Sequence, residues 1–234
     1  MLGLATGITN TSYQWQPTFV DGMELWLRNG VGVAVAKWDD SSGNDNHAEQ
    51  ETGGSQATIS NGGLDFDGSD DTYLLGADIV IAAQGSVNIF AVVNLDDATT
   101  NTIVGTGGNA DFMEFQNKST IRFHFDATAS PEKINFGTDI FDAGTKFLVH
   151  QERISGSTGT LSTQINGSTV TPSGFTGDGA DPAAFTLDRI GSRNNDRFLN
   201  GELLELLIYK NDSADMTDSN ISKINNYLLN KHGL

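Results

Sequence analysis

The stretch that decides the fold runs from residue 187 to residue 234: LDRIGSRNNDRFLNGELLELLIYKNDSADMTDSNISKINNYLLNKHGL. It contains a short strand, a polar tip at 193–197 and the nearly continuous apolar run 203–209. Continuous apolar character, in place of alternation, is typical of a strand that is covered on both faces. We therefore expect this strand in the middle of a sheet.

The same stretch ends in the one helix that the sequence predicts. Thr217 is a good N-cap, and Asp218 lies in the first turn, where the helix dipole favours negative charge. Ile221 and Ile224 share an apolar stripe, and Gly233 can end the helix. The rest of the chain consists of short predicted strands and loops, so we expect the helix to cover one end of a β fold.

Three segments together resemble concanavalin A-like, laminin-G-like jelly-roll domains. The first is the stretch quoted above, from IG through NGE to KHG. The second is WDDSSGNDNHA at 38–48, which is similar to the family loop W-x-D-x-S-G-N-x-N-x-A, and the third is the strand segment NGGLDFDGSDDTYL at 61–74. The resemblance implies an all-β, two-sheet antiparallel jelly-roll sandwich (concanavalin A-like) with one C-terminal α-helix.

The 234 residues suit one such domain, at 19–234, preceded by an uncharged N-terminal arm at 1–18. Tyr13 and Trp15 in this arm, and Phe19 directly after it, give the segment an aromatic character that is unusual for a free tail. Three interpretations remain open: the arm packs across its own domain, it docks onto a neighbouring subunit, or it is a solvated, disordered tail.

The charge of the chain limits its partners. Thirty acidic residues against 13 basic ones give a formal net charge of −17. A phosphate backbone or an anionic lipid surface is contacted by cationic side chains, so we expect neither nucleic acid nor a membrane as a partner. Cysteine is absent, which excludes disulfides and thiolate chemistry.

The loop after Trp38 supplies many side-chain oxygens, the ligands that calcium prefers. Asp39, Ser41 and Asn44, together with Asp65 and Asp67 of the following strand segment, are the candidate ligands of a calcium site. The alternative is that these side chains bind their own backbone and form a solvated rim.

Catalysis is not expected from the sequence. Glycoside hydrolysis requires two opposed carboxylates. The catalytic members of the resembled fold carry them as E-x-D-x-E or E-x-D-x-x-E, and neither string occurs here. We therefore predict that the chain is not an enzyme.

Carbohydrate binding is a separate hypothesis. Sugar sites combine a stacking aromatic ring with Asp and Asn side chains. The candidates are Tyr73, Phe112, Asn194 and Asp196. The alternative places the aromatic residues in the core.

The polar tip carries two arginines, Arg193 and Arg197, on an otherwise acidic protein. The guanidinium group binds carboxylates with two parallel hydrogen bonds, so the pair could dock a partner's acidic groups. A plain solvated turn is the alternative.

The chain is similar to the laminin-G-like accessory proteins of tailed bacteriophages. That resemblance implies a virion structural protein, assembled in the host cytoplasm as a capsid decoration or as a fibre or appendage module. Its partners would be protein subunits of a viral particle, and a homo-oligomer is compatible with this role. The alternative is a lectin-like adhesion module that binds a host glycan, with calcium as an optional cofactor.

Overall fold

The computed structural model describes residues 15–83, 85–108, 111–125, 132–154, 160–176, 184–210 and 216–234. These residues form two antiparallel β-sheets, one helix and two short 3-10 turns at Pro17–Phe19 and Gly53–Ser55. Strands are numbered along the chain. Sheet 1 contains β1 (Met23–Leu27), β5 (Thr58–Ser60), β6 (Gly63–Asp67), β8 (Val87–Leu95), β13 (Phe147–Ile154), β14 (Thr160–Ile165), β15 (Ser168–Thr169) and β18 (Asn200–Tyr209). Sheet 2 contains β2 (Val33–Ala34), β3 (Lys37–Trp38), β4 (Ala48–Glu49), β7 (Tyr73–Ile81), β9 (Asn101–Gly105), β10 (Asp111–Asn117), β11 (Thr120–Phe125), β12 (Glu132–Asn135), β16 (Gly174–Thr176) and β17 (Phe185–Ile190).

The strand β18 lies at the centre of sheet 1, as predicted. Its residues from Gly201 to Tyr209 pair with β8 along one edge. Along the other edge they pair first with β6 and then with β1. The strand is buried from Gly201 to Tyr209, which explains why its sequence does not alternate.

The main core lies between the two sheets. In β8, Ile89, Ala91 and Val93 belong to this core, whereas Phe90 and Val92 belong to a second cluster on the other face. Successive side chains of a strand point to opposite faces, so the same strand serves both clusters. The two-sheet sandwich predicted from the sequence is confirmed.

The helix α1 (Asp218–His232) covers the outer face of sheet 1. The expectation that it covers one end of the fold is therefore wrong. Phe90, Leu207 and Tyr209 form an apolar surface on this face, and the apolar stripe of α1 buries it. The helix begins as predicted: the Thr217 hydroxyl accepts a hydrogen bond from the backbone N–H of Asn220.

The segment before β1 packs onto the same cluster. Trp15 contacts the ring of Tyr227 edge-on at 6.4 Å between ring centroids, and the hydroxyl of Tyr209 donates a hydrogen bond to the carbonyl of Pro17. Phe19 is half exposed. Tyr13 lies outside the described residues, so the structure does not test its predicted contact with a partner.

In the part of the chain that the structure describes, no helix has the length and apolar character that crossing a membrane requires.

Candidate functional site

A cleft of about 470 Å³ opens on the outer face of sheet 2, beside the polar tip. Three strands supply its central row of side chains: Glu49 of β4 and Arg189 of β17 both pair with Leu74 of β7 in the sheet register. Tyr73 and Leu75 belong to the core, so Leu74 between them points outward, with 51% of its surface exposed. Neighbouring strands lie about 4.8 Å apart, so the row spans about 10 Å.

Arg189 is held in place by hydrogen bonds to two neighbouring side chains. Its Nε atom donates to Oδ1 of Asp188 at 2.7 Å, and its Nη1 atom donates to Oδ1 of Asn195 at 2.9 Å. Asn195 belongs to the polar tip, which therefore forms one wall of the cleft. A guanidinium that is already oriented loses little side-chain entropy when it binds a ligand.

The opposite wall is formed by residues 49–52. The side chain of Gln50 donates to the carbonyl of Thr72 at 2.6 Å and accepts from the backbone N–H of Thr52 at 2.9 Å, which fixes this segment. Glu49 is half exposed and lies 3.5 Å from the ammonium of Lys37. Glu51 also lines the cleft and is exposed. Two carboxylates therefore face an oriented guanidinium across an apolar platform.

The polar tip is anchored by a buried group of charges on β10 and β11. The carboxylate of Glu114 is fully buried and accepts hydrogen bonds from Arg122 at 2.7 Å and from Arg193 at 2.8 Å. The guanidinium of Arg193 also lies 3.9 Å from the centroid of the Phe112 ring. A buried carboxylate between two arginines holds the tip against the sheet.

This arrangement corrects two predicted roles. Arg193 is buried and bound to Glu114, so it is not available to a partner's carboxylates. Phe112 is buried below that arginine and offers no face to a sugar. Arg197 lies at the surface beside Asp196, and both are exposed, as are Asn194 and Asn195 of the tip.

Tyr73 is not a sugar-stacking residue either, because its side chain is fully buried. Its hydroxyl donates a hydrogen bond to the carbonyl of Val35 at 2.6 Å. Burial raises the pKa of Tyr73 to about 12, so the phenol stays neutral. The described lining of the cleft contains none of the four predicted sugar-site residues, Tyr73, Phe112, Asn194 and Asp196. The sequence analysis missed Glu49, Leu74 and Arg189, which do line it.

The loop after Trp38 is organised by Asp40, which is not among the predicted calcium ligands. Its carboxylate accepts hydrogen bonds from the backbone N–H groups of Trp26, Ser42 and Asn46. Asn44 donates to the carbonyls of β1, and Asp39 forms an ion pair with Lys37. These contacts match the alternative in which the loop side chains bind their own backbone.

The predicted calcium ligands do not come together as a set. Among the described residues, the carboxylates that lie close enough to share an ion are Asp67, Asp70 and Asp71. Asp65 belongs to sheet 1, where it pairs in register with Glu202. Of the predicted ligands, only Asp67 is in the acidic group, and calcium binding stays a prediction.

No protein-family model matches the sequence, and no curated protein matches it. Solved structures do match. The binding domain of Paraclostridial Mosquitocidal Protein 1 aligns with a TM-score of 0.59 and 14% identity, over 92% of this chain and 54% of that one. Domain 4 of AbnA, a GH43 extracellular arabinanase from Geobacillus stearothermophilus in complex with arabinotriose, aligns with a TM-score of 0.54 and 16% identity, over 86% of this chain and 97% of that one.

A sialidase of Trypanosoma rangeli aligns with a TM-score of 0.55 and 16% identity, over 87% of this chain. The alignment covers 32% of the sialidase chain, so the match concerns about a third of that enzyme. At these identities the likeness shows the fold: the chain has a β-sandwich of a kind that occurs within glycosidases and in a toxin binding domain.

These matches correct the prediction that the chain is not an enzyme. That prediction rested on the absence of the strings E-x-D-x-E and E-x-D-x-x-E. The sialidases and the arabinanase domain belong to glycosidases, so the absence of these strings does not exclude an enzyme. The likeness itself assigns no activity to this chain.

Proposed function

We propose that the chain is a carbohydrate-binding module and that the cleft beside the polar tip is its binding site. The observation that carries the proposal is the row of Glu49, Leu74 and Arg189 across three strands. It places a hydrogen-bond acceptor, an apolar platform and a hydrogen-bond donor side by side over about 10 Å.

Sugars match this arrangement because a sugar ring has an apolar face and a rim of hydroxyl groups. The apolar face would lie on Leu74, the carboxylate of Glu49 would accept from one hydroxyl, and the guanidinium of Arg189 would donate to another. Hydrogen bonds to charged groups are the stronger ones. The second carboxylate, Glu51, would accept from a neighbouring ring.

The comparison with the arabinanase supports a module of this kind. Domain 4 of AbnA, described in complex with arabinotriose, is covered over 97% of its length. A sandwich of this size is therefore a complete glycan-associated domain in at least one protein.

Binding to a panel of oligosaccharides, followed by isothermal titration calorimetry of the best one, tests the proposal. Leu74→Ser is the informative variant, because this side chain is exposed and its loss should leave the fold intact. Val80→Ser is the matched control, because Val80 lies on the same strand and face with the same exposure of 51% and does not line the cleft. We expect Leu74→Ser to weaken binding by about tenfold and Val80→Ser to leave it unchanged.

Equal affinity of the two variants would refute the cleft as the binding site. The absence of any saturable ligand on the panel would refute the proposed function. Mass spectrometry of the sugar after incubation shows in the same samples whether it is also hydrolysed. Glu49→Gln then reports whether that carboxylate takes part in binding alone or also in turnover.

The place in a viral particle rests on the resemblance described above and stays a prediction, as does homo-oligomer formation. Electron microscopy of purified particles with a labelled chain tests the first, and a mass measurement in solution tests the second.

A further inference from the structure

A groove of about 540 Å³ runs along α1, between the helix and the segment that begins at Trp15. It lies on the outer side of sheet 1, whereas the cleft lies on the outer side of sheet 2. The two openings are therefore on opposite faces of the sandwich and share no lining residue.

Aromatic rings form the apolar wall of the groove. Trp15 and Tyr227 meet edge-on at 6.4 Å, with an angle of 63° between the ring planes. Tyr227 in turn contacts Trp26 edge-on at 6.1 Å. Both lining rings are half-buried, so neighbouring side chains fix them while part of their surface stays open to a ligand.

The helix supplies polar groups opposite these rings. Asn226 and Asn230 are four residues apart and therefore lie on one face of α1. Both are exposed, and neither side-chain amide has a hydrogen-bond partner within the described ranges. Each amide offers one acceptor and two donors to a ligand.

The charge of the groove differs from that of the whole chain. Its described lining contains two lysines and no acidic residue, on a protein with a net charge of −17. Lys231 is neutralised by Glu205, whose carboxylate lies 2.8 Å from the ammonium. Lys223 donates to the side-chain oxygen of Asn220 at 3.3 Å and has no carboxylate partner in the described part of the chain, so its charge is available.

We propose that this groove is a second binding site, for a sugar that carries a carboxylate. The ring of the sugar packs against Trp15 and Tyr227, the amides of Asn226 and Asn230 bind its hydroxyl groups, and Lys223 pairs with the carboxylate. The cleft carries two glutamates, and the arginine of its described lining, Arg189, is already paired with Asp188, so the cleft disfavours the same ligand. The second site goes beyond the proposed function of the cleft and does not depend on it.

Tryptophan fluorescence reports on this groove selectively. The chain has three tryptophans, and Trp26 and Trp38 are buried, which leaves Trp15 as the one with substantial solvent access. The described lining of the cleft contains no tryptophan. Ligand binding at the groove therefore changes quenching by acrylamide, whereas binding at the cleft does not.

The experiment titrates the full chain with trigalacturonate and, in parallel, with the uncharged galactotriose. We expect trigalacturonate to protect Trp15 from acrylamide with saturation, and to bind about tenfold more weakly to Lys223→Gln. Lys118→Gln is the matched control, because this lysine lies in the turn between β10 and β11 of sheet 2 and should leave the affinity unchanged.

Three results would overturn the second site. One is that Trp15 is already protected from acrylamide quenching in the absence of ligand, which would mean that protein fills the groove. Another is the absence of protection at millimolar trigalacturonate. The third is equal binding of the charged and the uncharged trisaccharide together with an unchanged affinity of Lys223→Gln. None of these results bears on the cleft, whose test uses calorimetry of Leu74→Ser.

Discussion

Replacing Glu205 by glutamine should destabilise the protein by about 3 kcal/mol, because this carboxylate joins the end of α1 to the centre of sheet 1. The side chain is fully buried. It accepts hydrogen bonds from the indole of Trp26 at 2.8 Å, from His232 at 2.7 Å and from Lys231 at 2.8 Å. Glutamine keeps the shape but has one acceptor oxygen for these three donors, and its amide group adds another donor.

The expected loss of stability follows from the burial of the ion pair. Removing one partner of a buried pair costs about 3–5 kcal/mol. Glutamine keeps one acceptor oxygen, so we expect a value at the lower end of this range. For a domain of this length, each kcal/mol shifts the melting temperature by about 2–4 °C. We expect a loss of about 6–12 °C.

The pH dependence gives a second measurement on the same variant. Burial alone would raise the pKa of Glu205, but the hydrogen bond from His232, the charge and hydrogen bond of Lys231 and the hydrogen bond from Trp26 outweigh it, so the pKa lies below its ordinary value of 4.5. A carboxyl group whose folded-state pKa is lowered stabilises the protein above its unfolded pKa, and it loses that contribution as the pH falls through the folded value. The difference in the free energy of unfolding between wild type and Glu205→Gln should therefore become smaller below about pH 4.5.

Urea unfolding at pH 7 and at pH 3.5, followed by the fluorescence of the tryptophans, measures both effects. Glu24→Gln is the control, because Glu24 forms a partly exposed ion pair with Lys210 at 3.3 Å and its loss should cost less than about 1 kcal/mol. Glu205→Gln could lower the free energy of unfolding by less than about 1 kcal/mol, or by the same amount at pH 3.5 as at pH 7. Either result would show that this carboxylate does not hold the helix.

Three further changes test the interior of the sandwich. Arg193→Ala leaves the buried carboxylate of Glu114 with one arginine and should cost about 3 kcal/mol in urea unfolding, whereas the exposed Arg197→Ala should stay within about 0.5 kcal/mol. Burial lowers the pKa of His150 to about 3, so the unfolded state binds a proton that the folded state does not, and stability should fall by about 2 kcal/mol from pH 6.5 to pH 5 but stay level in His150→Gln. Gly191→Ala should lower the melting temperature by several degrees, because a methyl group there would lie 2.3 Å from a core phenylalanine ring and φ is 81°.

The elements that local signals specify were predictable from the sequence. The cap at Thr217 and the stop at Gly233 depend on neighbouring residues, and α1 has the expected bounds. The pair Asn-Gly favours a two-residue hairpin turn, and Asn166-Gly167 between β14 and β15 has positive φ at both residues. The central position of β18 followed from its continuous apolar run, because a strand that is buried on both faces has no alternation of apolar and polar residues.

The row of Glu49, Leu74 and Arg189 that we propose as a binding site could not be read from the sequence, because it depends on strand register. Glu49, Leu74 and Arg189 come from strands separated by up to 140 residues, and a register shift of one residue would turn Leu74 into the core. The same limit explains Arg193: its position in a polar tip indicated exposure, but the partner that buries it, Glu114, lies on another strand. A charged residue in a turn is therefore exposed to solvent only where no buried group of opposite charge lies close enough to bind it.

The two outer faces of the sandwich differ, and this difference accounts for the positions of the two proposed binding sites. The outer face of sheet 1 is apolar, and α1 buries it. The groove lies at the edge of the area that α1 covers, where Trp15 and Tyr227 are only half-buried. On sheet 2, the charged side chains of Glu114, Arg122 and Arg193 bind one another, whereas Glu49 and Glu51 at the cleft stay exposed. A buried salt bridge contributes little net stability but does fix geometry, so the group around Glu114 holds the tip that forms the wall of the cleft. Loosening that group should therefore weaken binding at the cleft while leaving the groove unchanged, because the group lies on sheet 2 and the groove lies on the outer side of sheet 1.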